Sequence, residues 1–500
     1  MVRKKNFLKP TLVWWIAAAV ILGIYTQPIA ARGGVIRTAI SAEPDNLDPW
    51  LSAAADTQAV MYNVFEGLIR FNEKGELLPG LAESYKISPD GLTYTFKLRK
   101  NVKFHNGSKL RAADVKYSLE KLSGLSGAKA LSSKFSRLAR IQTPADDTVI
   151  LTLKERDAAF LSACITPILP KGYHGQSKKP VGTGPFKFVS YSPGQSIVIE
   201  KNRNYYDRRK MAKVDRVEFR IMTDPGAILM ALKAGDLDMA GIDGQNVAAL
   251  KSDFTVLKAP QNMVQLLALN NARKPFNNLK VRQAINYAID KEAIITAVAN
   301  GFGTKLSTNM SPIMKFYYQD GLDIYKTNIP KAKRLLQEAG YPAGFTTTLT
   351  VPSNYQFHVD TAQVIAAQLL KVGIKMKIKP IEWGQWLDQV YTKANYDCTI
   401  ICLTGKLDPN EVLGRYESSF PKNFFRFSDH RYDQLIKLGT KEVNEAKRAK
   451  IYRECQKILT RQAAAVYIMD PNLVVILKRN LKGFKFYPVR FLDMSSMYYE

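Results

Sequence analysis

Apolar and polar residues alternate over several short stretches, among them "TYTFKLRKNVKF", "TVILTLK", "FKFVSY", "SIVIEKN" and "RVEFRIM". A period of two places one face of a strand in a core and the other in solvent. Between these stretches lie segments of helical period: "GAILMALKAGDLD", "LKVRQAINYAIDKEAIITAVAN" and "IPKAKRLLQEAGY". In the second of them Val281, Ala284, Ile285, Ala288 and Ile289 share one helical face, and Asp290 is placed to cap a following helix. Pro89, Asp90 and Gly91 form a turn before the alternating Tyr94, Phe96 and Leu98, which predicts a hairpin with one buried face. "EGLIRFNEKGELLPGLA" gives two short apolar pieces separated by Gly75 and closed by Pro79-Gly80. The fold class is therefore α/β. No repeat of fixed period and no low-complexity linker interrupts the pattern, so the domains are expected to share crossing segments.

The N-terminus departs from this pattern. A basic head, "MVRKKNFLKP", precedes the apolar run "TLVWWIAAAVILGIY", and "TQPIAA" supplies small residues suited to cleavage near Ala31. The apolar run is shorter than the roughly 20 residues that a membrane span prefers. We read residues 1–31 as a cleavable secretory signal, with a mature chain from about Arg32 to Glu500 in the periplasm. No cysteine stands near the cut to accept a lipid. A mature chain of roughly 470 residues is long enough for two or three domains.

The formal charge is +28. Its lysines and arginines are spread along the chain rather than gathered in a tail or a helix stripe. With export removing the usual partner, nucleic acid is not expected, and a solvated basic surface that attracts anions is the reading retained. Four cysteines are too few for a disulfide scaffold. Cys398 and Cys402 share a strand face at a spacing of roughly 13 Å, too far for a bridge, and are read as buried thiols.

Catalytic constellations are sparse. The four histidines, His105, His174, His358 and His430, are far apart in sequence, with no His-Glu-x-x-His and no Cys-x-x-Cys spacing. There is no Gly-x-Ser-x-Gly elbow. "VGTGPFKF" lacks the Gly-Lys-Ser/Thr ending of a phosphate loop and runs into a strand, so it is read as a structural turn. A binding protein without cofactor or protein-held metal is the leading class. A secreted hydrolase and a sensor partner are the alternatives.

Eight ordered segments carry a resemblance. They are "EPDNLDPW" (43–50), "VFEGLIRFNEKGELLPGLAESYKISPDGLTYTFKLRKNVKFHNG" (64–107), "AADVKYSLE" (112–120), "VGTGPFKF" (181–188), "LKVRQAINYAIDKEAI" (279–294), "AKRLLQEAGYPAGF" (332–345), "AAQLLKVGIKMKI" (366–378) and "IEWGQWLDQV" (381–390). The chain resembles the extracellular solute-binding proteins of ABC importers of the oligopeptide, dipeptide and nickel type (family 5). The resemblance implies a two-lobed periplasmic-binding-protein fold of type II with an extra accessory domain. On that basis lobe I is expected at 32–65, 186–264 and 480–500, the accessory domain at 66–185, and lobe II at 265–479. It also implies a monomer that closes on a small solute and delivers it to ABC permease subunits in the inner membrane.

The resemblance further implies site residues. Peptide-binding members carry an acidic residue after the strand equivalent to "YDCTIICLTG", where it receives the peptide's ammonium group. Here that position falls on Lys406, so the charge is reversed. Asp408, two residues on, could serve with a shifted loop, and which of the two faces the ligand is open. Trp383 matches a tryptophan that lines a side-chain pocket. Tyr355 lies where dipeptide binders have a tyrosine near an arginine that holds the peptide carboxylate, but Ser353 and Asn354 precede it and no arginine does. Thr404 would offer backbone groups, and Arg415 would stand behind them. The expected solute is peptide-like or a modified amino-acid or opine-like conjugate, with an anionic form among the options; an ordinary peptide and a nickel chelate are the alternatives.

Overall fold

The computed structural model describes residues 33–52 and 54–500, so the expected signal sequence lies outside the described residues. The first lobe is built on Val35–Ile40, whose alternate residues are buried; this strand pairs in parallel with Arg216–Ile221 and with Met239–Ile242. Ser196–Lys201 and Phe186–Ser192 extend the sheet on the Arg216–Ile221 side. The second lobe carries the order Ile374–Ile381, Phe345–Pro352, Cys398–Thr404, Met263–Leu269. Its helices begin where side chains supply the missing acceptors: Asn278 caps Leu279–Ala288, and Asp290 accepts from the Ala293 N–H at 3.0 Å to open Lys291–Ala299.

Two neighbouring antiparallel strands run through both sheets. Phe254–Pro260 pairs with the second half of Ala465–Lys478, and after Gln261 and Asn262 the chain resumes as Met263–Leu269 against the first half. The Val474–Leu477 stretch thus lies in the first lobe's sheet, ahead of the 479/480 division expected from sequence. At the crossover Asn262 takes φ 60°, a left-handed conformation that asparagine tolerates better than most residues.

Asp470 is buried at that crossover and accepts the Gln261 N–H at 3.0 Å. Burial pushes its carboxyl up to about 6, partly offset by the Ser311 hydroxyl and neighbouring backbone N–H groups. The group holds its proton more tightly folded than unfolded, so the stability it contributes falls as pH rises from about 4 through about 6 and is level above. Relative to Asp470→Asn, the wild type should lose on the order of 2 to 3 kcal/mol across that window, read from urea unfolding. A pH-independent difference between the two proteins would contradict this.

The accessory region has its own antiparallel sheet, in the order Ala82–Ile87, Thr93–Leu98, Thr148–Leu153, Leu138–Ala145. Tyr94, Phe96 and Leu98 point into a core that gathers residues from Leu68 to Val181. Its neck is tight. Gly184 N–H donates to Val64 O (2.9 Å) and Phe186 N–H to Asn63 O (3.1 Å), and a Cβ on Gly182 would stand 2.0 Å from Val64 O. The glycines of "VGTGPF" therefore permit two backbones to touch, which is the reason for the motif. On its far side the region meets the second lobe, where Ala158 N–H donates to Thr440 O at 3.0 Å.

Candidate functional site

The strand Cys398–Thr404 is buried for its first four residues and emerges into the turn Gly405-Lys406-Leu407-Asp408. The crossover holds this turn directly. Gly405 N–H donates to Asn262 O (2.6 Å), and Asn262 Nδ2 donates to Lys406 O (3.3 Å) and to Pro488 O (2.7 Å). Asn262 approaches so closely that a Cβ on Gly405 would lie 2.2 Å from its side chain. Gly405→Ala should therefore displace the turn and cost about 1–3 kcal/mol of stability by overpacking, measurable in urea unfolding. A variant as stable as wild type would show that the turn has room to move.

Asp408 points the other way. Its carboxylate accepts from the Asn410 N–H (2.8 Å), capping Pro409–Leu413, and takes a two-pronged contact from Arg448, Nη1 to Oδ2 at 2.7 Å and Nη2 to Oδ1 at 3.0 Å. The Arg448 and Asp408 side chains are 5% and 2% exposed. Asp408 could meet a solute in the Lys406 cavity only by giving up this pair: its carboxylate is neutralised by Arg448 and lines a separate, smaller cavity of about 330 Å³ shared with the accessory region.

Lys406, in contrast, is exposed and lines a cavity of about 570 Å³. Three parts of the molecule enclose it. The first lobe gives Trp50, Tyr62 and Phe65, followed by the segment from Phe484 to Leu492; the accessory region gives Lys134 and Ile165–Pro167; the second lobe gives the turn. Tyr62, Phe491 and Tyr487 meet edge-on or tilted at 5.5 and 4.8 Å, an apolar wall suited to desolvating a solute. Trp50 Nε1 donates to Pro167 O at 2.9 Å and joins the first lobe to the accessory wall.

Thr404 lines the same cavity, but its carbonyl accepts from Arg415 Nη2 at 3.0 Å. Arg415 thus braces the strand end from behind. Trp383 and Tyr355 do not line this cavity. They form a separate aromatic step on the second lobe: Tyr355, 42% exposed, meets Trp383 edge-on at 5.4 Å, and Trp383 stacks at 5.2 Å on the buried Trp386. Burial pushes the neighbouring His358 down to about 4, so it is neutral at ordinary pH. Asn262, Lys134 and Lys485 were not legible from sequence. An asparagine between two strand patterns is the one local hint among them.

A family model described as the bacterial extracellular solute-binding proteins, family 5 middle, matches residues 76–424. The chain belongs to this family. Among its relatives, the di/tripeptide-binding protein 1 of Pseudomonas aeruginosa is 31% identical, over 89% of this chain and 90% of that protein. The glutathione-binding protein GsiB of Pectobacterium atrosepticum is 29% identical, over 95% of this chain and 96% of that one. Among solved structures, the binding protein AgaA of Agrobacterium tumefaciens, in complex with agropinic acid, is 29% identical with a TM-score of 0.72, covering 93% of this chain and 99% of that one. Family 5 proteins bind small solutes and work with ABC permeases, and this one is the periplasmic substrate-binding component of such a transporter.

Proposed function

We propose that this family 5 protein captures an anionic solute lacking the usual peptide ammonium contact, holds it between its lobes against Lys406, and releases it unchanged to its permease. The observation that carries the reading is the placement of Lys406. It is an exposed cation on a turn pinned to the crossover, at the cavity, where the resemblance leads one to expect an acid. The agropinic acid complex supports it, since a related chain was solved with an acid bound. Mass spectrometry of the solute released from protein purified without refolding should find an acidic compound of unchanged structure. Ordinary peptides with free amines as the main bound species would overturn the reading.

Two strands crossing between lobes form a natural hinge, and capture should proceed by lobe closure. Small-angle scattering should give a smaller radius of gyration with the released solute added back than without it. An unchanged radius at saturation would argue against closure. The same experiment reads the mass, for which we expect a monomer.

A further inference from the structure

We propose that the cleft selects solutes carrying two or more acidic groups, and that Lys485 and Lys134 join Lys406 in holding them. This rests on the anion reading above and extends it. The three lysines line one cavity but come from three parts of the molecule: the second-lobe turn, the C-terminal segment and the accessory region. All three are exposed, and no carboxylate partner is found for any of them among the described residues. The contrast with nearby cations is direct. Lys482 pairs with Glu500 at 3.4 Å, Lys478 with Asp238 at 2.7 Å, and the cavity's own Arg490 with Asp56. Among the described residues Glu411 is the one carboxylate lining the cavity.

Each lysine is also held at its base. Lys485 stands between Phe484 and Phe486, whose rings meet edge-on at 5.1 Å. Lys134 precedes the fully buried Phe135 in a single turn, where its own backbone N–H donates to the Ser132 hydroxyl. Closure brings three like charges around one space and excludes water, which raises their mutual repulsion. A solute with one carboxylate relieves it at one lysine. A solute with several relieves it at all three.

The test uses three defined probes in calorimetry at constant salt: N-acetyl-aspartyl-glutamate, with three carboxylates and no amine; N-acetyl-alanyl-alanine, with one carboxylate and no amine; and trialanine, with a free amine. The expected result is at least about tenfold tighter binding of the first than of the second. Lys485→Met and Lys134→Met should each weaken the first probe about tenfold while binding the second at least as tightly as the wild type does. Lys406→Met should weaken both. Unchanged binding of the first probe to Lys485→Met and Lys134→Met, with a loss in Lys406→Met, would overturn this inference and leave the anion reading standing. Tightest binding of trialanine would overturn both. No binding of the first probe by the wild type would also reject the inference.

Discussion

Lys406→Met should weaken binding of the native solute about 10-fold to 100-fold, and Lys406→Asp should abolish it at accessible concentrations. A charge-assisted hydrogen bond contributes on the order of 1.5 to 3 kcal/mol, and each 1.4 kcal/mol is a decade of affinity. The backbone beneath this lysine is fixed. Its turn follows a strand whose first four residues are buried and is held through Gly405 and the Lys406 carbonyl to Asn262, leaving the backbone little freedom to drift. Methionine keeps the apolar stem and removes only the charge. Aspartate restores the sign expected at this position in peptide-binding relatives, sets a like charge against an acidic solute, and should reject it by repulsion. Calorimetry with the solute recovered from wild-type protein decides the matter. Equal affinities in all three proteins would make Lys406 a rim charge.

Arg448→Met should destabilise the protein by about 3–5 kcal/mol, the range found when one partner of a buried ion pair is removed. Asp408 is not free to turn to another partner, because the same carboxylate caps a helix and its side chain is only 2% exposed. Arg448 is held at its other side by Nε, which donates to Gly439 O at 2.9 Å. Pairing Arg448→Met with Asp408→Asn should recover part of the loss, since no uncompensated charge then remains. Urea unfolding of the two single variants and the double variant forms the cycle that measures this coupling. Strictly additive losses would show that the pair is not coupled. Loss of solute affinity in Arg448→Met should accompany the instability, because Asp408 anchors the C-terminal side of the Lys406 turn.

Local chemistry made much of the fold readable. The Pro89–Gly91 turn, the buried Tyr94, Phe96 and Leu98, and the Asp290 cap are each decided within a few residues, and the structure shows them where the pattern put them. The cleft resisted the same reading because its charges are sorted by partners far away in sequence. Nothing near Asp408 announces that a guanidinium 40 residues on neutralises it. Nothing near Lys485 tells that it shares a cavity with Lys134, since the C-terminal segment reaches that wall only through the folded first lobe. The alternation of a strand states which face is buried. It does not state which of two neighbouring charges the tertiary structure leaves unpaired.

The accessory region enters and leaves the first lobe through one zipped neck, Asn63–Val64 against Gly184–Phe186, yet it also supplies a wall of the solute cavity. It touches the second lobe as well, at Ala158 and Thr440, but its chain enters and leaves at one place, so it can be exchanged without rethreading the rest of the chain. Transplanting the corresponding stretch of a relative at that doorway would keep both crossing strands and the Lys406 turn in place while replacing Lys134 and its surroundings. If the proposed cavity sets the solute, the neck makes one of its sides a replaceable cassette, giving evolution or an engineer a way to change what the protein carries without remaking its crossing strands.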